Sequence, residues 1–302
     1  EHHNVCVCVY MLQPYMLQPF LVALAAAAPR AQPPLKAEAL YTGLPPASGL
    51  YAPFVHRTFE LLDEAAVPLA PYPSPGDLQL LRSGDGHGGA TPALLSVRAF
   101  SSERLRHGRL LLLDGGPSLQ VLNLCFFPRL DSALPTLSAD LVTLPGGSLV
   151  AIDWQPNGPA RPHCAEAEAQ LDAAYAKHRR RLPPGGPVPP DSARFFSDRF
   201  LWSRLPASTP PDELVSLLLP AMEDYTRAYL RLLADPPPPS PPPASELDAV
   251  LAAQLEYATY RTERDPARPM LSRLFGEEAA GRLLRESLFD LPLRLARGEQ
   301  AH

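Results

Sequence analysis

The sequence predicts a mixed α/β protein built on one antiparallel β-sheet flanked by helices, and three observations carry that prediction. Strand-like runs succeed one another from Leu94 to Asp153 with only short Gly- and Pro-bearing turns between them. An amphipathic helical pattern precedes this block, and helical periodicity dominates the chain beyond Trp154.

The first element is PFVHRTFELLDEAA, which places Phe54, Phe59, Leu61, Leu62 and Ala65 mostly on one side of a helix and ends at the proline-rich VPLAPYPSPG. A glycine loop comes next, GDGHGG at 84–89. It lacks the preceding apolar strand and following helix that a phosphate loop needs, so no phosphate site is expected there. The strands are ALLSVRAF, RLLLLD, SLQVLNLCFF, ADLVTL and SLVAIDW, separated by GGP, PRLDSALP and PGG. Such short connections specify an antiparallel meander, because a parallel crossover needs a dozen residues or more. AEAEAQLDAAYAKHRRRL is a helix with its basic residues at the C-terminal end, where the macrodipole favours them. An aromatic run, RFFSDRFLWSRL, leads to DELVSLLLPAMEDYTRAYLRLL, a long helix in which Pro220 is expected to produce a kink. PPPPSPPP at 236–243 reads as an extended surface linker between two helices. The stretch from Ser245 onward, SELDAVLAAQLEYATYRTERD and PARPMLSRLFGEEAAGRLLRESLF, supplies a further helical layer over the sheet.

Thirty-nine prolines in 302 residues, well over twice the average usage of about 5 %, point to segments outside the folded core. Residues 1–48, which open on Glu1 and carry the near-repeat YMLQPYMLQPF, read as a disordered leader or targeting remnant, leaving 49–302 as a single domain. The formal charge is −5, so no broad basic field gathers nucleic acid. The four cysteines, Cys6, Cys8, Cys125 and Cys164, have neither zinc-ligand spacing nor disulfide-framework density, which suits a reducing compartment and a metal-free fold. The longest apolar stretch, Phe20 to Pro29, is too short for a membrane helix, so no membrane insertion is expected.

No nucleophile elbow, H-E-x-x-H, P-loop or CxxC is present, which leaves misplaced polar residues as the chemical signal. Asp140 lies among strand formers in LSADLVTL. It reads either as a turn-proximal aspartate bonded to backbone amides or as a carboxyl kept protonated near neutral pH by desolvation. Asn123 shares the face of its strand with Val121 and Cys125, as a structural hydrogen-bonder or as a group looking into a cavity. Asp265 before Pro266 reads as the N-cap of the following helix. Arg179, Arg180 and Arg181, with Arg261, Arg264 and Arg268, form either a solvated face or sites for ligand carboxylates or an acidic protein. The aromatics Phe195, Phe196, Phe200, Trp202, Tyr257 and Tyr260 read as core.

Seven blocks add a signal that spacing does not supply: SLQVLN…FFP…LPTLSADLVTLPGG, AIDWQP, LPPGGPVPPDSARFFSDRFLWSRLP, YRTERDPARPMLSRLFG and LFDLP, with PFVHRTFELLD and PYPSP. Lying in family order from Tyr51 to Pro292, they resemble the ferredoxin-dependent bilin reductase family. The resemblance implies a three-layer α/β/α sandwich with a central antiparallel sheet. It implies an open-chain tetrapyrrole bound between the sheet and the C-terminal helices, and its reduction with no bound flavin, nicotinamide or metal. Electrons arrive singly from reduced [2Fe-2S] ferredoxin, through a bilin radical, and the expected state is a monomer.

Position by position, the resemblance implies that Asp140 is a proton donor to the bilin and that Asp265, in the helical D-P motif, is the second. Asn123 stands where phycocyanobilin-forming relatives carry histidine and phytochromobilin-forming ones aspartate, and Leu111 stands where the former carry a catalytic glutamate. The Asn123, Asp140 and Asp265 set fits the phycoerythrobilin-forming branch, which reduces the A-ring diene of 15,16-dihydrobiliverdin. The alternatives are a biliverdin-reducing member, such as the phytochromobilin-forming branch, or a non-catalytic bilin-binding protein, against which retention of both aspartates argues. Asn123, Arg180, Arg261 and Arg264 are the implied substrate-binding residues. The basic groups at 179–181 and at 261, 264 and 268 are candidates for docking acidic ferredoxin. The pathway implies a plastid stroma, or the cytoplasm if the source is bacterial.

Overall fold

The computed structural model describes residue 37 and residues 44–84, 92–158, 164–236 and 242–299. Most of the 1–48 segment, residues 85–89 of the glycine loop and residues 237–241 of the proline run lie outside the described residues.

An eight-stranded sheet forms the centre. Its strands are β1 (Ala70–Pro71), β2 (Leu80–Arg82), β3 (Leu94–Ser101), β4 (Leu105–Asp114), β5 (Gln120–Pro128), β6 (Thr136–Leu144), β7 (Gly147–Gln155) and β8 (Leu201–Leu205). β3 to β7 pair consecutively and antiparallel, as the short turns require, with β8 added beside β7 and the short β1 and β2 both on β3. The register sets Leu111 beside Asn123, Asn123 beside Asp140, Asp140 beside Ala151 and Ala151 beside Trp202, one row across five strands. Gly147 helps to hold the β6–β7 end of that register. Its φ is +123°, and a Cβ there would lie 2.3 Å from the Leu205 carbonyl oxygen.

Alternation gives the sheet two different faces. Leu110, Leu112, Leu122, Leu124, Phe126, Leu137, Ala139, Leu141, Val150 and Ile152 point into one core. That core is closed by α1 (Ala52–Glu64), α2 (Ala165–His178) and α4 (Pro211–Ala234). α1 buries Phe54, Val55, Thr58, Phe59, Leu61 and Leu62, the helical spacing of an apolar stripe. Each large apolar side chain buried in this way contributes about 2 kcal/mol. The other face presents Leu111, Leu113, Val121, Cys125 and Phe127 to the C-terminal helices. These are α5 (Ala244–Arg264), α6 (Arg268–Phe275), α7 (Glu277–Arg282), a π-helical turn over 283–288 and α8 (Leu291–Ala296). Helices on both faces make the three-layer α/β/α arrangement. The short α3 (Pro190–Ala193) lies in the loop before β8.

One strand is added and one expectation changes. The aromatic run contains strand β8, whose buried Leu201, Ser203 and Leu205 alternate with Trp202 and Arg204. Five residues at a sheet edge are too few to stand out from the helical pattern around them, and pairing with β7 is what makes them a strand. Asp265 is not the N-cap of the next helix, because α6 begins three residues later at Arg268. Asp265 instead ends α5: its ψ of 123° is the extended conformation forced on a residue before proline. The helical assignment of α4 runs through Pro220.

Candidate functional site

Asp140 projects from β6 toward the C-terminal helical layer, on the face that carries Arg109, Asn123 and Cys125. The C-terminal end of α5 lies beside it, with Tyr257 and Arg261 on the helix and Asp265 at its C-cap. Because α5 stops at Pro266, the Asp265 side chain is left at the helix end, where it does two things. Oδ1 accepts the Ala267 N–H at 2.7 Å, and Oδ2 receives Arg261 through Nε at 2.9 Å and Nη2 at 2.7 Å. Asp265 is only 5 % exposed. Arg261 also stacks on Phe289, 5.3 Å from the ring centre.

Burial pushes the Asp140 carboxyl above the ordinary carboxylate range. Arg261, the Asn123 side chain and Arg109 pull it back, and the nearby Asp265 adds to the rise. Two carboxyls therefore stand within electrostatic reach of one another, each close enough to Arg261 to feel its charge. Aromatic rings close the surroundings: Tyr257 lies 6.3 Å from Phe127, 6.0 Å from Phe289 and 5.3 Å from Phe195. Burial pushes the Tyr257 hydroxyl up to about 12. A third carboxyl, Asp153, shares this face of the sheet and is driven up to about 6 by burial. It is already engaged, accepting the Ser197 N–H at 2.8 Å and the Ser197 hydroxyl at 2.5 Å, and so anchors the aromatic loop before β8.

Chemically, the arrangement offers a carboxyl that stays protonated closer to neutral pH, a second carboxyl paired with Arg261, and the charge of that guanidinium felt by both. It can protonate a bound group and hold an anion. Among the described residues, no group of three His, Cys, Asp or Glu side chains is placed to hold a metal ion. Tyr257 and Phe195, read from sequence as core, are half-buried rings in contact with one another beside this cluster.

The site thus gathers Asn123, Asp140, Arg261 and Asp265. Arg264 stands one turn away, 67 % exposed, 3.9 Å from Asp191 of α3. Arg180 does not join the group. It is exposed in the turn after α2, and α2 packs with α4 on the other face of the sheet. Sequence alone does not say on which face a helix lies. Arg109 is the functional candidate that sequence reading missed. It begins RLLLLD, where its charge looked like a strand terminus, yet it sits inside β4 on the same face as Leu111 and Leu113. A charge in phase with inward apolar residues was the available signal.

A family model described as ferredoxin-dependent bilin reductase matches residues 60–290. The phycoerythrobilin:ferredoxin oxidoreductase of Parasynechococcus marenigrum is 37 % identical over 238 residues, covering 76 % of this chain and 90 % of that protein. The protein of the same name from Gloeobacter violaceus is 38 % identical over 253 residues, covering 81 % and 97 %. Among solved structures, tomato phytochromobilin synthase in complex with biliverdin superimposes with a TM-score of 0.69 at 27 % identity, covering 81 % of this chain and 84 % of that one.

Proposed function

Because the chain belongs to the ferredoxin-dependent bilin reductase family, we propose that it reduces the A-ring diene of 15,16-dihydrobiliverdin to phycoerythrobilin. The reaction consumes two electrons, delivered one at a time by reduced [2Fe-2S] ferredoxin, and two protons, delivered by Asp140 and Asp265. The pigment lies between the sheet and α5 to α8, against Asn123, with Arg261 and Arg264 available to its propionates. Arg180, on the opposite layer, drops out of this contact set. The enzyme works as a monomer in a plastid stroma, or in the cytoplasm of a bacterium. No helix among the described residues is long and apolar enough to cross a membrane.

One observation carries the reading: Asp140 and Asp265 lie within electrostatic reach of one another and share Arg261. A radical anion formed there has a proton source on either side, in surroundings that keep water out. The relatives named phycoerythrobilin:ferredoxin oxidoreductase support this choice of substrate. The test is an anaerobic assay with a ferredoxin-reducing system and each bilin supplied separately. Phycoerythrobilin is expected from 15,16-dihydrobiliverdin and no product from biliverdin. Turnover of biliverdin would move the chain to another branch, and spectral binding without turnover of either pigment would make it a bilin carrier.

A further inference from the structure

Arg109 is the largest wholly buried side chain of the described residues, and no carboxylate lies within ion-pair distance of it among them. A guanidinium stripped of water without a carboxylate partner is costly, so its remaining contacts must account for its place. Nη1 donates to Oδ1 of Asn123 at 2.5 Å, Nε donates to the Leu288 carbonyl at 3.2 Å, and Nη2 lies 3.5 Å from Sγ of Cys125. The cation also stands 5.1 Å from the Phe289 ring centre and 6.0 Å from that of Phe127.

The contact with Asn123 settles the orientation of a group that could otherwise point either way. A carboxamide has an acceptor at one end and two donors at the other. With its oxygen held by a cation, turning it over would set N–H against N–H. Asn123 is the direct cross-strand partner of Asp140, so its nitrogen end serves Asp140. We propose that Arg109 is a positioning residue for proton delivery: it holds the Asn123 oxygen, aims the amide donors at Asp140, and so sets how readily Asp140 releases its proton. This rests on the reading of Asp140 as a donor. In that step the Asp140 O–H bond breaks and the proton passes to the pigment after a ferredoxin electron has reduced it. The carboxylate left behind is stabilised by the Asn123 N–H and by the positive charge behind it.

Other ionisable groups also act on Asp140. Arg261 lowers its proton affinity and Asp265 raises it, both from α5. Tyr257 of α5 and Cys125 of β5 belong to the same cluster, and Tyr51, at the head of α1, interacts with Asp140 electrostatically. Arg109 and Asn123 are the two contributions from within the sheet that oppose burial. Removing either raises the proton affinity of Asp140, so the donor stays protonated to higher pH.

The experiment is the pH dependence of kcat with reduced ferredoxin, alongside bilin affinity from absorption titration. In Arg109→Gln the basic limb is expected to move up by about one pH unit, the scale on which one neighbouring charge shifts a carboxyl, with bilin affinity within a few-fold of wild type. Arg109→Lys keeps the charge and is expected to restore most of the wild-type limb. Since Arg109→Gln also unbinds the Leu288 carbonyl and could fold poorly, Asn123→Leu is the second variant. It is expected to move the limb in the same direction, and the double variant by less than the sum of the two. A lowered melting temperature or amplitude with an unmoved limb in both single variants would overturn the positioning role and leave Arg109 a structural tie to the helical layer. A normal profile in Asp140→Asn would instead overturn the donor reading beneath it.

Discussion

Asp265 closes α5 and orders the turn into α6 with one carboxyl oxygen while the other holds Arg261. Both uses arise from the dipeptide Asp265-Pro266, since proline pushes the preceding residue out of the helix and leaves its side chain at the helix end. The substitution Asp265→Asn separates them. The amide keeps an oxygen for the Ala267 N–H but gives up the ion pair with Arg261 and cannot take up a proton and hand it to a pigment. Reduction of 15,16-dihydrobiliverdin is expected to fall by at least tenfold while the melting temperature stays within about 3 °C, the shift that roughly 1 kcal/mol produces in a protein of this size. A matching fall in melting temperature and activity would reassign the residue to structure. Asp140, Asn123 and Asp265 were legible because each breaks a local pattern: a polar group in a strand, or an acid before proline. Arg109 was not, because its partner Asn123 lies across a strand pair whose register no single segment reveals. Arg180 lies apart from these residues, and that was hidden for the related reason that a helix pattern carries no information about the face it covers.

Strands β3 to β7 and most helices were readable because turn length and periodicity are local properties of the chain. β1, β2 and β8 were not, being two, three and five residues long and defined by their neighbours. Equally hidden was the tie between β4, the segment around β1 and the helical layer. Tyr72 donates to Asp290 at 2.6 Å, its ring stacks on His107 at 3.9 Å, and Arg106 stands 3.6 Å from the same carboxylate just before α8. Burial drives the His107 imidazole down to about 4, with Arg106 and Arg109 adding to the fall against the pull of Asp290. Burial would raise Asp290, but His107, Arg106 and Tyr72 together hold it at about 2.

The sign for stability is set by His107 being neutral in the fold. The unfolded chain takes up its proton below about 6.5, whereas the folded one waits until pH falls further. Stability from His107 therefore drains as pH falls from about 6.5 toward 4. Asp153, raised to about 6, works the other way in part of that range, since its contribution is lost as pH rises from about 4 toward 6. The clean measurement is thus the difference between wild type and His107→Gln in urea unfolding. The stability advantage of wild type is expected to shrink by about 2 kcal/mol between pH 7 and pH 5. A difference that does not change with pH would contradict a neutral, buried His107.

Across the molecule, the same sheet does two jobs because its faces differ by one residue in phase. The even positions of β5, Leu122, Leu124 and Phe126, build an apolar core under α1, α2 and α4, whereas the odd ones, Asn123 and Cys125, belong to the site under α5 to α8. Core stability is supplied on one side, which lets the other carry buried charge and half-buried rings. Two acids on two separate layers, one on the sheet and one on a helix, also explain why their proximity was not legible across 125 residues of sequence separation. Whether the sheet aspartate delivers a proton is decided by anaerobic turnover of 15,16-dihydrobiliverdin in Asp140→Asn with reduced ferredoxin. An intact absorption change on bilin binding, with no phycoerythrobilin formed, is the expected result. Phycoerythrobilin appearing at the wild-type rate would remove Asp140 from the chemistry and the proposed mechanism with it.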